Sequence, residues 1–205
     1  MSSASIQSHD SVFKRVLWLY GLHTLLSNTF LLIGYYLLPE GVFRGTLLTS
    51  VGGVAARPEG FWAQFGLTLL FNLGLVAVMG VAANLQQVKG LPVGYVVPVV
   101  LGIVSGLITG TNSYVADDLS RYSARDGIAL GLSIGGAEML AYVLIIASTV
   151  KLGVYQYRSL ADWKPVKAMS LRDVRLTRQE VMCLTVGLLL LVLAAYRETV
   201  MAMSL

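Results

Sequence analysis

The chain has 205 residues, of which 56% are hydrophobic and 13% charged, with twenty-one glycines, one cysteine and a formal net charge of +4. Charge this sparse, gathered between long apolar stretches, excludes an ordinary soluble domain and describes an all-α polytopic transmembrane helical bundle in which lipid replaces much of the core. The basic residues do not form one stripe, which excludes nucleic acid as a partner, and a lone cysteine leaves no disulfide framework and no CxxC motif.

Residues 1–15 form a polar tail ending in Lys14 and Arg15. A membrane crossing needs roughly 20 apolar residues, at about 1.5 Å each through about 30 Å of hydrocarbon. The first such run is Val16 to Leu38. It is too long for a signal-peptide core and no Ala-x-Ala site follows, so it reads as a retained signal anchor. His23 and Asn28 lie within it without a second histidine at metal-binding spacing. His23 therefore reads as a satisfied bundle group, and no metal or cofactor is expected. Next comes Val42 to Ala56, with Arg44, Gly45, Gly52 and Gly53. It is short for a crossing and reads as an interfacial or re-entrant helix, or as a helical loop packed on the bundle.

The second crossing, Phe61 to Ala83, carries Asn72 near its middle. Its amide either bonds across a helix interface or meets a carbonyl on a translocated molecule. Asn84 and Gln86 lie at the boundary, where headgroup hydration is expected. The third crossing, Pro92 to Tyr114, carries Gly102, Gly106 and Gly110 on one helical face, spacing that permits close backbone approach. The fourth, Ile128 to Val150, contains a second ladder of Gly127, Gly131 and Gly135, followed by Glu138. An isolated charge at that depth costs at least about 2.5 kcal/mol, so Glu138 must be neutralised, hydrogen-bonded or placed in a polar cavity. Asn72 is its expected partner by depth.

The connection 151–180 mixes Tyr155, Tyr157 and Trp163 with Arg158, Lys164, Lys167, Arg172, Arg175 and Arg178. Such a segment suits anionic lipid headgroups or a cytoplasmic partner. Ser170 to Glu180 reads as a short amphipathic helix beginning at a serine cap. The fifth crossing is Val181 to Met201, with buried Cys183 and with Arg197 and Glu198 marking the far interface; residues 202–205 form a tail. The single transmembrane domain thus covers 16–201. With the N-terminus in the cytoplasm, ten Lys or Arg residues fall inside and five outside, which follows the positive-inside rule and places the C-terminus opposite.

Phe71-Asn72, the run Gly135-Gly136-Ala137-Glu138-Met139-Leu140-Ala141, Ala147 and Lys151-Leu152-Gly153 are similar to segments of the stage II sporulation protein M family of integral membrane proteins. The resemblance spans about Phe61 to Gly153. In that family a comparable glycine-and-glutamate helix often begins with His-Gly, whereas Ile134 occupies the histidine position here. Membership implies an organiser or partner in a membrane complex more readily than an autonomous enzyme.

No phosphate loop, hydrolase elbow, protease histidine pair or dense carboxylate set occurs, and no catalytic residues are assigned. The leading expectation is a noncatalytic subunit that organises, stabilises or anchors a larger membrane assembly, through other integral proteins or self-association. The alternative is a small transporter or transporter subunit with Asn72 and Glu138 in a polar passage.

Overall fold

The computed structural model describes residues 11–46, 60–113, 123–130, 135–159, 161–162 and 164–203. The chain is mostly helical, and four of its helices are long and apolar enough to cross a membrane: Val12–Leu37, Phe61–Val81, Val93–Gly110 and Arg178–Met201. The first is α1, Val12–Leu37. Helix α2, Phe61–Gly74, passes directly into a π-helical stretch, Leu75–Val81. Helix α3, Val96–Gly110, is entered through the 3-10 turn Val93–Tyr95. The expected fourth crossing is described as α4, Ala124–Leu130, and α5, Gly136–Ser148, with 131–134 outside the described residues. Helix α6 is Arg178–Ala202.

In space the helices follow the order α3, α1, α5, α6, α2. Nine of the thirteen α5 residues are buried, including Ala141, Val143, Ile145, Ile146 and Ala147. A helix apolar on all sides belongs at the centre of a bundle, and α5 lies there, between α1 and α6. Its side chains join Val76 of the π-helical stretch and Leu191 of α6 in one cluster, and Leu19 of α1 in another.

Against α1, the third-crossing glycines replace side chains with backbone contact. A Cβ on Gly102 would lie 3.0 Å from the His23 carbonyl oxygen, and one on Gly106 or Gly110 would collide with the carbonyl oxygen of Ser27 or Leu31. Gly34 reciprocates from α1, since a Cβ there would sit 3.1 Å from Leu107 O. The second ladder is different. Gly127 leaves ordinary van der Waals spacing to Leu31 and Thr109, and a Cβ on Gly135 would meet nothing within 4 Å; Gly131 lies outside the described residues.

One end of the bundle carries a four-stranded sheet that the apolar pattern did not announce. Its strands are β1 Gln86–Val88, β2 Leu91–Pro92, β3 Tyr155–Tyr157 and β4 Val166–Lys167, in the order β2-β1-β3-β4. Lys89 and Gly90, with φ of 52° and 81°, form the tight turn between β1 and β2, as a two-residue hairpin requires. β1 and β3 pair in parallel, Gln86 opposite Tyr155 and Val88 opposite Tyr157, which joins the two connections at this end.

Two expectations at this end are corrected. Ser170 to Glu180 is not one helix: Ser170 caps only the 3-10 turn Leu171–Asp173, and α6 starts separately at Arg178 behind the Thr177 cap. Each cap closes its own box, with Asp173 and Glu180 reaching back to the respective cap N–H, so two helical starts are encoded instead of one. Asn84 is not hydrated at the boundary but fully buried. Its Nδ2 donates to Ile146 O at 2.8 Å and Thr149 Oγ1 at 2.9 Å, bonding one carbonyl and one hydroxyl at the end of α5. The Val42 to Ala56 segment is described only as far as Thr46, and this part is turn, not helix.

Candidate functional site

Helix α2 is built inside out. Its buried side chains are Gln64, Thr68 and Asn72, one every four residues and therefore on one face, while Trp62, Leu70, Phe71 and Leu73 point outward. An apolar exterior and a polar interior suit a helix whose solvent is lipid. Phe61 and Phe65 meet the Tyr196 ring edge-on at centroid distances of 5.5 and 6.4 Å, which sets this face beside the last turns of α6. One turn beyond Asn72, Val76 packs in the cluster containing Tyr142 and Leu191.

Stepping one helical turn from that layer, away from the sheet, brings Asn72 on α2 and Glu138 on α5 to the same level. Tyr142 donates its hydroxyl hydrogen to Glu138 Oε1 at 2.6 Å, an i,i+4 bond along α5. Glu198 is exposed on the last turns of α6. Neither carboxylate makes an ion pair among the described residues. Asn72 is 8% exposed, and its Nδ2 has no hydrogen-bond partner. The amide therefore does not donate to Glu138, whose partner is Tyr142. Neighbouring Gln64 donates from Nε2 to Thr68 Oγ1 at 3.4 Å.

A second polar region lies between α1, α3, α4 and α5. A cavity of about 30 Å³ is lined by Tyr20, His23, Thr24, Ser27, Asn28 and Thr109 among others, which is room for one or two waters. His23 Nδ1 lies 2.8 Å from Pro98 O; a carbonyl only accepts, so Nδ1 carries the hydrogen and the imidazole is satisfied within the bundle. Asn28 likewise bonds back to Thr24 O at 2.9 Å. Tyr20 donates to Gly136 O at 3.3 Å, closing the cavity toward α5.

At the sheet end, sequence reasoning missed a buried charge cluster. Arg15 Nη2 lies 2.7 Å from Glu180 Oε1, with side-chain exposures of 4% and 3%, and Lys151 Nζ lies 2.9 Å from Glu180 Oε2. Oε2 also accepts from Thr177 N and Oγ1, at 2.8 and 3.0 Å. Both lone-pair sets of one carboxylate are thus engaged, as a buried charge requires. Gln87 adds a bond from Nε2 to Val150 O at 3.1 Å, tying β1 to the turn after α5.

The basic residues of the connection are placed on the surface. Arg158, Lys164, Lys167, Arg172, Arg175 and Arg178 are all exposed, alongside Val166, Met169 and Leu171; Trp163 lies outside the described residues. No group of three or more His, Cys, Asp or Glu able to hold a metal occurs among the described residues. Comparison of the chain with family models, with curated proteins and with solved structures gives no match, so the functional reading rests on geometry.

Proposed function

We propose that this chain is a noncatalytic integral membrane subunit that organises or anchors a larger membrane assembly. In this reading it crosses the membrane five times, with the N-terminus and the sheet on the cytoplasmic side. The observation that supports it most is the sheet end: an exposed basic and apolar platform fixed to the bundle by Asn84, Gln87 and the Arg15–Glu180–Lys151 cluster. A connection serving only to join two helices needs no such attachment. A rigid platform transmits position from membrane to partner, which is what an anchor does. The same proposal sets the chain beside the stage II sporulation protein M family, on the segment from Gly135 to Ala141.

A transporter subunit is the second reading, favoured by the polar inner face of α2. Mild-detergent purification of the native protein, with mass identification of what remains bound, separates the two. A stoichiometric protein complex that is lost when Lys164, Lys167 and Arg172 are changed to Glu, yet survives Asn72→Ala and Glu138→Gln, supports the anchor. A lone or self-associated protein carrying a specific solute that Glu138→Gln releases overturns it in favour of transport.

A further inference from the structure

We propose that the edge of the sheet that overhangs the bundle, residues 164–175, is seated on the headgroups of anionic lipids. The first ground is register. Side chains that stand opposite one another on neighbouring strands point to the same face of a sheet. Pro92, Gln87, Gln156 and Val166 therefore form one row across β2, β1, β3 and β4. Gln87 gives that row its direction, since its Nε2 donates to Val150 O at 3.1 Å at the end of the bundle. Along the row Pro92 and Gln87 are buried, whereas Gln156 is exposed and Val166 is 53% exposed. The sheet thus leaves the footprint of the bundle between β1 and β3, and the face that meets protein at β1 stands open at β4.

The second ground is depth. β2, Leu91–Pro92, runs straight into the apolar span Val93–Gly110, and the overhanging segment leads into the span Arg178–Met201. Tyr95, at the start of the first of these spans, meets the Trp18 ring of α1 at a centroid distance of 6.2 Å. An indole and a phenol gathered at one end of spanning helices mark the membrane interface. The sheet is therefore level with the headgroups, and the open half of its bundle-side row faces lipid. The third ground is chemistry. Val166 and Leu171 are exposed apolar side chains set among the exposed cations Lys164, Lys167, Arg172 and Arg175. The one acid among them, Asp173, accepts from Ser170 N in its capping box. Apolar groups that enter the top of the acyl layer beside cations at phosphate depth suit an anionic surface.

This inference rests on the membrane placement of the anchor reading but not on its protein partner, so the test uses the purified full chain alone in vesicles. Its failure leaves the protein complex of that reading untouched, and loss of that complex leaves this result standing. Cys183 is 3% exposed, so a thiol-reactive fluorophore attaches to Val166→Cys; Tyr155→Cys carries the same label on the opposite face of the sheet. The vesicles are phosphatidylcholine alone or phosphatidylcholine with added phosphatidylglycerol, each with a lipid-borne quencher at headgroup level. The expected result is strong quenching at position 166 that rises and saturates with phosphatidylglycerol, and weak quenching at position 155. Lys164→Glu together with Arg172→Glu shifts the half-saturating fraction of phosphatidylglycerol upward by about tenfold or more. Equal quenching at the two positions overturns the proposal, as does quenching at 166 that is the same in both kinds of vesicle. A label at 166 that stays in water in every vesicle also overturns it and leaves this face to a protein. Leu171→Cys is the second reporter, which keeps the test decisive should Val166→Cys fail to fold.

Discussion

Removing the Glu180 carboxylate should loosen the sheet end of the bundle more than any other single truncation there. Arg15 is 4% exposed on its side chain and its Nη2 lies 2.7 Å from Glu180 Oε1, so Glu180→Ala removes the carboxylate paired with a buried guanidinium. Breaking a buried pair from one side costs about 3–5 kcal/mol. Lys151, at 31% side-chain exposure, hydrates when released and contributes little to that cost. Taking about 4 kcal/mol gives roughly a thousandfold increase in the opened population at this end. Cys183 reports it directly, being 3% exposed and one turn into α6 from Glu180. Labelling by a membrane-permeant maleimide should accelerate by about that factor where opening equilibrates before reaction. The pair Arg15→Met with Glu180→Leu should be milder than Glu180→Ala alone, because no charge is then stranded. Labelling of Glu180→Ala within tenfold of the unaltered protein would refute the reasoning.

Three further outcomes follow from contacts already described. Gly106→Leu should lower the unfolding midpoint sharply, through overpacking against Ser27 worth about 1–3 kcal/mol or more, whereas Gly66→Ala, with nothing within 4 Å, should raise stability by about 0.5–1 kcal/mol. Scanning calorimetry in one detergent compares them. Asn84→Ala should cost about 1–3 kcal/mol by removing two buried hydrogen bonds, to Ile146 O and Thr149 Oγ1, with faster amide hydrogen exchange in β1 and β3 as the readout. Gly90→Val, at a φ of 81°, should disrupt the β1–β2 turn and raise exchange in β1 while leaving the α1–α3 interface protected.

Long apolar runs and the spacing of Gly102, Gly106 and Gly110 were legible because each is a local pattern of helical period. The sheet was not, since strands of two or three residues fall below the length at which alternation can be read. Arg15, Lys151 and Glu180 sit at the ends of three different apolar runs, and a residue at such an end carries the same local signal whether hydrated or paired across the bundle. Asn84 misled for that reason: nearness to the boundary gives depth but not direction. The α2 stripe did carry a signal. Gln64, Thr68 and Asn72 recur every four residues, but in a run this apolar the one central amide drew the reading and its two companions did not.

The ion pair that fastens α1 to α6 joins residues 165 positions apart. At about 5–20 residues per second of synthesis, Arg15 must wait roughly ten to thirty seconds for Glu180 to be made. β1 waits too, since its parallel partner follows the whole of α5. Meanwhile the β1–β2 hairpin can form at once and present a ready edge to β3. Biogenesis therefore has a defined last step: arrival of α6 neutralises Arg15, caps itself and fixes the platform together. A ribosome stalled before residue 180 leaves Arg15 without the Glu180 carboxylate and α6 without its capped start, so the bundle stays open at the sheet end.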